Sequence, residues 1–307
     1  MQKTILVTGG YGFLGRAVTQ KYKALGYRVL GIGHSQWSPE EALFFGYDAW
    51  LEASVSLSNL SSFDEALDLV VHCAGNSSVS RSLTHPLQDF SLNVLATAEL
   101  LEYLRITESK AMLIYPSSAG VYGACDDLQI RESDDLNPIS PYGYHKKMIE
   151  DMLEMYSKVY KIKVAIIRFF SIYGPGLKKQ LLWDASTKLL KANKEVIFWG
   201  TGEETRDWIY IDDAVELISQ LSNNPKPFRL VNGGAGNRIT VKFVLEALRN
   251  ALGVDIKIKF NGEVRSGDPR FYHADISKLN EIGIQPKVTF NDGIYRYADW
   301  FKKTWLE

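Results

Sequence analysis

Cysteine is nearly missing from this chain: Cys73 and Cys125 are the two in 307 residues. Neither belongs to a Cys-x-x-Cys run or a Cys/His cluster, and the five histidines are scattered. That argues against a disulfide scaffold or a metal site and predicts two reduced thiols. An excess of one charge is lacking too. Thirty-five Lys and Arg against 36 Asp and Glu leave a net charge of −1, so no basic field supports nucleic-acid binding. No apolar run approaches the roughly 18 residues of a membrane span. Repeats and low-complexity tracts are absent. The first residues, Met1-Gln-Lys-Thr-Ile-Leu-Val-Thr, enter a strand without a secretory pattern. The expectation is a soluble, cytoplasmic protein without a membrane partner.

Short apolar runs alternate with amphipathic stretches through the first half. Strands are predicted at Thr4–Val7, Arg28–Ile32, Leu69–His72, Ala111–Tyr115 and Val164–Ile167. Helices are predicted over Phe13–Leu25, ending at Gly26, and near Pro86–Arg105 and Tyr144–Tyr160. Continuous apolar strands separated by helices point to a parallel sheet covered on both faces, an α/β doubly wound, Rossmann-type fold. The pattern loosens after Gly174-Pro-Gly176. Helices over Leu181–Lys191, Val241–Leu252 and Ile294–Trp305, with a strand at Val196–Phe198, read as a smaller C-terminal α/β domain for a substrate. The expected division is 1–172 and 173–307, with 205–222 a candidate to return to the first domain.

Thr8-Gly9-Gly10-Tyr11-Gly12-Phe13-Leu14-Gly15 follows a strand and opens a helix, the context a glycine fingerprint requires. Glycines permit the tight turn and the close approach of backbone to a pyrophosphate lying on the helix N-terminus. A dinucleotide is therefore expected at Gly9, Gly12, Phe13, Leu14, Gly15 and Arg16. NAD-binding folds usually carry an acid at the end of the second strand to hold the ribose 2′-hydroxyl; here Gly33-His34-Ser35 stands there. With no carboxylate to repel a 2′-phosphate, and with Arg16, His34 and Ser35 available to bind one, the reading leans to NADP. NAD with a weaker ribose contact stays open.

Tyr142 and Lys146 sit one turn apart, on one face of a predicted helix. An ammonium beside a phenol favours the phenolate, so Tyr142 is expected to act as a base below its reference pKa of about 10. Ser118 is placed to relay the substrate proton.

With these features the chain resembles the extended short-chain dehydrogenase/reductase family, the nucleotide-sugar epimerases and dehydratases, over essentially its whole length. The marks are the Gly9–Gly15 loop, His72-Cys-Ala74-Gly75, Asn93, Ser117-Ser118-Ala-Gly-Val-Tyr-Gly123 and Tyr142-x-x-x-Lys146. Arg168-Phe-Phe-Ser-Ile-Tyr-Gly-Pro175, Gly200-Thr-Gly-x-x-x-Arg206-Asp and Arg265-Ser-Gly-Asp268 complete them. The resemblance implies that Tyr142 is the acid/base, that Lys146 also holds the nicotinamide ribose, and that Ser118 orients the sugar hydroxyl. It implies that Ala74, Gly75, Asn93 and Tyr173 lie along the cofactor. Arg206 and Arg265 are the expected diphosphate clamp, as bidentate guanidinium suits phosphate, with Asn76, Tyr122 and Ser171 also on the substrate side. Three positions depart from the family pattern: Gly33 where an acid is common, Ser54 near where an aspartate often approaches adenine, and Ser171 where many galactose-type epimerases have asparagine.

Relatives that eliminate water carry Asp-Glu after the serine; Ala119-Gly120 here cannot transfer a proton, which disfavours dehydration. Asp126 and Asp127 read as loop charges. Two reactions share the remaining residues: 4-epimerisation of a UDP-glucose or UDP-N-acetylhexosamine type sugar through a 4-keto intermediate, and NADPH-dependent 4-keto reduction. Small residues at Gly120 and Ser171 leave room for the sugar to turn, whereas the Gly33-His34-Ser35 end favours the reductase; epimerisation is the chosen reading because the resemblance implies it as the family's more frequent reaction. A non-catalytic NADP-binding sensor is the distant alternative, since such proteins commonly lose the tyrosine or lysine that this chain keeps. Apolar stripes such as Met148, Met152, Met155 and Val159 read first as packing against the sheet. The resemblance implies instead a homodimer through the helices near 86–105 and 144–160.

Overall fold

The computed structural model describes residues 2–34, 37–125, 129–263 and 271–306. Ser35, Asp126, Asp127 and Arg265 lie outside the described residues. Strands β1 (Thr4–Thr8), β2 (Arg28–Gly33), β3 (Ala49–Glu52), β4 (Leu69–His72), β5 (Met112–Ser118) and β6 (Lys163–Phe169) pair in parallel, in the order β6-β5-β4-β1-β2-β3. A seventh strand, Phe228–Gly233, extends the sheet beside β6. This is a doubly wound sheet of Rossmann type, and its order reverses between β1 and β4. At such a reversal the loops at the strands' carboxyl ends open a crevice for a ligand. The central strands are buried along their length, Ile5, Leu6, Val7, Val70, Val71, Leu113 and Ile114 being fully or nearly fully excluded from solvent. Leu100, Leu101, Leu104, Ile149 and Leu153 pack one face.

Local chemistry sets the helix ends. Gly12 precedes the helix Phe13–Ala24 in extended conformation, and Gly26, at φ +80°, takes the left-handed position just beyond its end. Ser140 caps the helix Pro141–Tyr160 by accepting from Gly143 N at 3.2 Å, with Pro141 at the first helical position. That helix buries Tyr142, Lys146, Ile149, Glu150, Leu153 and Ser157, a spacing of threes and fours that faces the sheet. The helix expected near Pro86–Arg105 is interrupted: Pro86–Phe90 and Ala96–Ile106 flank a π-helical turn, Ser91–Leu95. Asn93 lies in that turn, and its side chain donates to the Asp89 carbonyl, competing with the regular ladder.

The chain divides into two compact units. The first comprises residues 1–123, 135–169 and 215–231, and the second 124–134, 170–214 and 232–307. The segment 124–134 thus groups with the second unit, and the returning segment is 215–231 rather than 205–222. In the first unit Lys21 pairs with Glu216 at 2.8 Å, and Tyr22 Oη donates to Ser222 Oγ at 2.8 Å. The second unit holds three two-stranded pairings, Ser171–Tyr173 with Trp208–Tyr210, Thr205–Arg206 with Ile239–Thr240, and Glu195–Phe198 with Lys257–Phe260. The helices Gln180–Lys191, Val241–Leu252 and Phe290–Leu306 pack together within it. Among the described residues no helix is long and apolar enough to cross a membrane, and no group of three metal-ligating side chains gathers.

Candidate active site

The glycine loop and the loop after β4 meet at the sheet's reversal. Gly9 adopts φ +64°, and a Cβ there would lie 2.6 Å from Ala74 N; a Cβ at Gly15 would lie 2.5 Å from Gly9 O. No side chain caps the helix at Gly12 and no acid stands in its first turn, where Phe13 and Leu14 are half-buried, so its free N–H groups suit a phosphate. Behind the loops runs a one-way hydrogen-bond chain. Ala74 N donates to Thr8 Oγ1 at 3.2 Å, and Thr97 Oγ1 donates to Asn93 O at 2.7 Å. Between them His72 Nδ1 and Nε2 lie 2.7 and 3.0 Å from the hydroxyls of Thr8 and Thr97. The Thr97 proton is already committed, so its oxygen accepts from His72 Nε2–H and His72 Nδ1 accepts from Thr8. Burial holds His72 neutral, its pKa near 3. The Asn93 side chain is 1% exposed, and its Oδ1 has no hydrogen-bond partner. An open helix N-terminus and an orphaned buried acceptor beside Gly75 fit a dinucleotide.

The missing acid at Gly33 has a steric counterpart. A Cβ at Gly33 would come within 2.9 Å of the Trp50 ring, and at Gly31 within 2.5 Å of Tyr47. Tyr47 donates to Gly10 O at 2.9 Å, and Trp37, Phe45, Tyr47 and Trp50 form a continuous aromatic cluster. The Arg16 guanidinium lies 5.7 and 5.8 Å from the Tyr11 and Phe45 rings, and His34 is exposed.

Ser118 ends β5, Tyr142 opens the long helix, and their side chains hydrogen-bond. Tyr142 is 8% and Lys146 7% exposed. The sequence expectation for their electrostatics needs correction. Lys146 Nζ donates to Tyr115 Oη at 2.8 Å and Pro116 O at 3.1 Å, and stands 5.8 Å from the Tyr142 ring centre. Burial pushes the Tyr142 phenol up to about 12, against the lowering effect of Ser118, while Asp89 raises it further. Burial also brings Lys146 down to about 8. Desolvation therefore outweighs the ammonium on Tyr142 in this structure. A Cβ at Gly120 would meet Ser118 Oγ at 3.3 Å, a tight approach, and touch Tyr142 Cε1 at 3.5 Å in ordinary contact.

Several residues that support the site escaped the sequence reading. Glu150 accepts from Arg168 Nη2 at 2.7 Å, Arg168 Nε at 3.0 Å and Ser117 Oγ at 2.5 Å. Glu150 follows Lys146 by four, so helical spacing could have found it; its partner on β6, Arg168, opens a family motif but was given no role there. Arg168 Nη1 also donates to Tyr122 Oη at 3.0 Å, and its guanidinium lies 4.8 Å from that ring. Tyr122, expected on the substrate side, is thus 2% exposed and committed to Arg168. The Asn76 amide is likewise taken up by Asp89 and by the Ser78 backbone. In the second unit Tyr173 is fully buried against Trp208, Tyr210 and Phe290, its hydroxyl donating to Phe290 O at 3.3 Å, so its phenol offers a ligand nothing. Ser171 is half-buried, with its N–H on Asp207 O at 2.9 Å. Arg206, also half-buried, donates to Thr205 O at 2.9 Å and lies 5.9 Å from the Tyr272 ring.

A doubly wound sheet with an open glycine loop and a half-buried Ser118 beside the buried Tyr142 and Lys146 defines a dinucleotide-dependent enzyme of the short-chain dehydrogenase/reductase type. The sequence pattern of the NAD dependent epimerase/dehydratase family matches residues 5–233, and the chain belongs to that family. A putative UDP-glucose 4-epimerase of Methanocaldococcus jannaschii is 30% identical, over 97% of this chain and 98% of its own length. The crystal structure of a UDP-glucose 4-epimerase from Thermotoga maritima with UDP-glucose superposes with a TM-score of 0.89 at 29% identity, covering 99% of this chain and 100% of that one. A UDP-glucuronic acid 4-epimerase from Bacillus cereus, in complex with UDP-glucuronic acid and NAD, gives 0.87 at 26% identity, covering 98% and 99%.

Proposed function

We propose that this chain is a nucleotide-sugar 4-epimerase, acting on a UDP-glucose or UDP-N-acetylhexosamine type substrate through a transient 4-keto sugar. The observation that carries this is the hydrogen bond between Ser118 and the buried Tyr142, with Lys146 one turn away and Gly120 packed against both. Ala119 and Gly120 supply no acid or base for elimination. Similarity to enzymes described as UDP-sugar 4-epimerases supports the reading.

Gly9, Gly12, Gly15, Ala74, Gly75, Asn93 and Lys146 would hold the dinucleotide, whose nicotinamide supplies a hydride acceptor and donor. Tyr142 takes the proton of the sugar 4-hydroxyl by way of Ser118 and returns it when the other face is reduced. Lys146, with its ammonium on Tyr115 and Pro116, is left to orient a ribose rather than to ionise the phenol. Arg206 and Arg265 are assigned to the diphosphate and Ser171 to the sugar, as the family resemblance suggests. Between NAD and NADP, the missing acid at Gly33 slightly favours NADP, for whose 2′-phosphate Arg16 and His34 are the candidate partners. The 4-keto reductase remains the second reading, favoured by the absence of an acid at Gly33.

A panel of UDP-, GDP-, CDP- and dTDP-sugars, with and without NADPH, tests the assignment. Isomer formation without net cofactor change is expected; stoichiometric NADPH loss on a 4-keto substrate would transfer it to the reductase. Tyr142→Phe should lower turnover by about 10³-fold, and unchanged turnover removes the catalytic assignment. We place the enzyme in the cytoplasm, where cysteines outside disulfides, as Cys73 and Cys125 are here, persist as thiols. We assign it a homodimer through the exposed Leu87, Phe90, Leu95, Met148, Met155 and Val159, whereas Met152 packs into the core. Sedimentation showing only monomer at micromolar concentration would remove the dimer.

A further inference from the structure

Asp89 has no part in the reaction just described, yet it is a carboxylate only 1% exposed. Donors from three elements converge on it. Asn76 Nδ2, from the loop after β4, reaches Oδ1 at 2.5 Å. Asn93 Nδ2, from the π-helical turn, reaches Oδ1 at 3.2 Å and the Asp89 carbonyl at 3.0 Å. His145 Nδ1, from the residue preceding Lys146, lies 2.5 Å from Oδ2, with its ring edge-on to Phe90.

The consequence falls on Asn93. With Nδ2 held by two oxygens of Asp89, the amide must turn Oδ1 the other way. That oxygen is buried and without a partner, and a Cβ on Gly75 would stand 2.4 Å from it. A flipped amide would set Oδ1 against the two acceptor oxygens of Asp89 and lose both bonds. The carboxylate therefore decides which end of the amide faces the Gly75 loop, and a buried acceptor left open is satisfied only by a donor from elsewhere.

We propose that Asp89 is a positioning residue that locks the Asn93 amide so that Oδ1 accepts a hydroxyl or N–H of the bound dinucleotide, with His145 and Asn76 holding Asp89 in place. The proposal rests on reading Asn93 as a cofactor contact.

The test measures Kd for NAD and NADP by calorimetry on the full chain, in a double-mutant cycle, beside thermal unfolding. Asn93→Ala should weaken binding about tenfold, the value of one lost hydrogen bond. Asp89→Leu should weaken it by a similar factor, and Asp89→Leu/Asn93→Ala no further than Asn93→Ala alone. Asp89→Asn should stay within about threefold of wild type, because its oxygen still accepts from both asparagines and its NH₂ can donate to His145. Additive effects in the double variant, or a lowered melting temperature with Kd unchanged in Asp89→Leu, overturn the proposal. Should Asp89→Leu not fold, Asp89→Ser enters the same cycle. Unaltered binding by Asn93→Ala refutes the Asn93 contact and the proposal with it. A wild-type chain that takes up neither dinucleotide refutes the cofactor reading itself.

Discussion

Replacing Lys146 with methionine should stabilise the protein at neutral pH while removing most of its turnover. Burial brings the Lys146 ammonium from 10.5 to about 8, and Glu150 only partly offsets that effect. The difference of about 2.5 units corresponds to about 3 kcal/mol by which the fold disfavours the charged lysine. Methionine fills a similar volume without charge, but it leaves the Pro116 carbonyl, now bonded at 3.1 Å, and the Tyr115 hydroxyl, at 2.8 Å, without their donor. Those two losses offset about 2 kcal/mol, leaving a net gain of about 1 kcal/mol, or about 1–2 °C in melting temperature. The pH dependence has a defined sign. Because the folded pKa lies below the unfolded one, the penalty is complete below about 8 and gone above 10.5. Between those values the unfolded chain binds more protons, so wild-type stability from this group rises with pH. Urea unfolding of both proteins near pH 7 and near pH 10.5 should show the variant's advantage at the lower pH disappear or reverse at the higher. A variant less stable than wild type at pH 7, or a gap equal at both pH values, refutes the reasoning.

Gly33→Asp, which restores the acid common in NAD-binding folds, should cost about 1–3 kcal/mol, because its Cβ would meet the Trp50 ring at 2.9 Å; made in a Trp50→Ala background, the same substitution should lower the melting temperature much less. Glu150→Leu leaves the guanidinium of Arg168, 4% exposed, without its carboxylate and should cost about 3–5 kcal/mol in denaturant unfolding. The pair Glu150→Leu/Arg168→Met should regain most of that loss.

The doubly wound sheet was legible because its central strands are continuous apolar runs, and such runs mark burial on both faces whatever surrounds them. β3 was not, since Ala49-Trp-Leu-Glu is four residues at an edge, and Phe228–Gly233 is too mixed to stand out. The glycine loop and the Tyr142–Lys146 spacing lie within single short stretches, so their geometry follows from local sequence. The partners that set their chemistry do not. Asp89 stands 56 residues before His145, and Glu150 meets Arg168 from another element. The lowered phenol pKa expected of Tyr142 failed for a related reason. Spacing places an ammonium and a phenol on one helix face, but only the fold shows that Tyr115 and Pro116 claim the ammonium and that burial governs the phenol. Tyr122, Asn76 and Tyr173 fit a motif by identity, while their side chains are taken up in packing.

Among the described residues of the first unit, the buried charged side chains are two cations, Lys146 and Arg168, and two carboxylates, Asp89 and Glu150. Arg168 answers Glu150 directly, whereas Asp89 and Lys146 act on each other at longer range, the carboxylate raising the lysine's pKa. The set is balanced without Tyr142. Ionising that phenol adds an unmatched negative charge in a place where Asp89 already opposes it, which is why burial and Asp89 together hold it near 12. The protein therefore keeps Tyr142 protonated until a ligand alters the balance, and any positive charge a ligand brings close to it favours the phenolate. On the proposed function, an oxidised, cationic nicotinamide bound close to Tyr142 would favour its basic form, and the reduced, neutral ring its acid form. That ordering would suit the role proposed for Tyr142, in which the sugar proton is removed first and given back later.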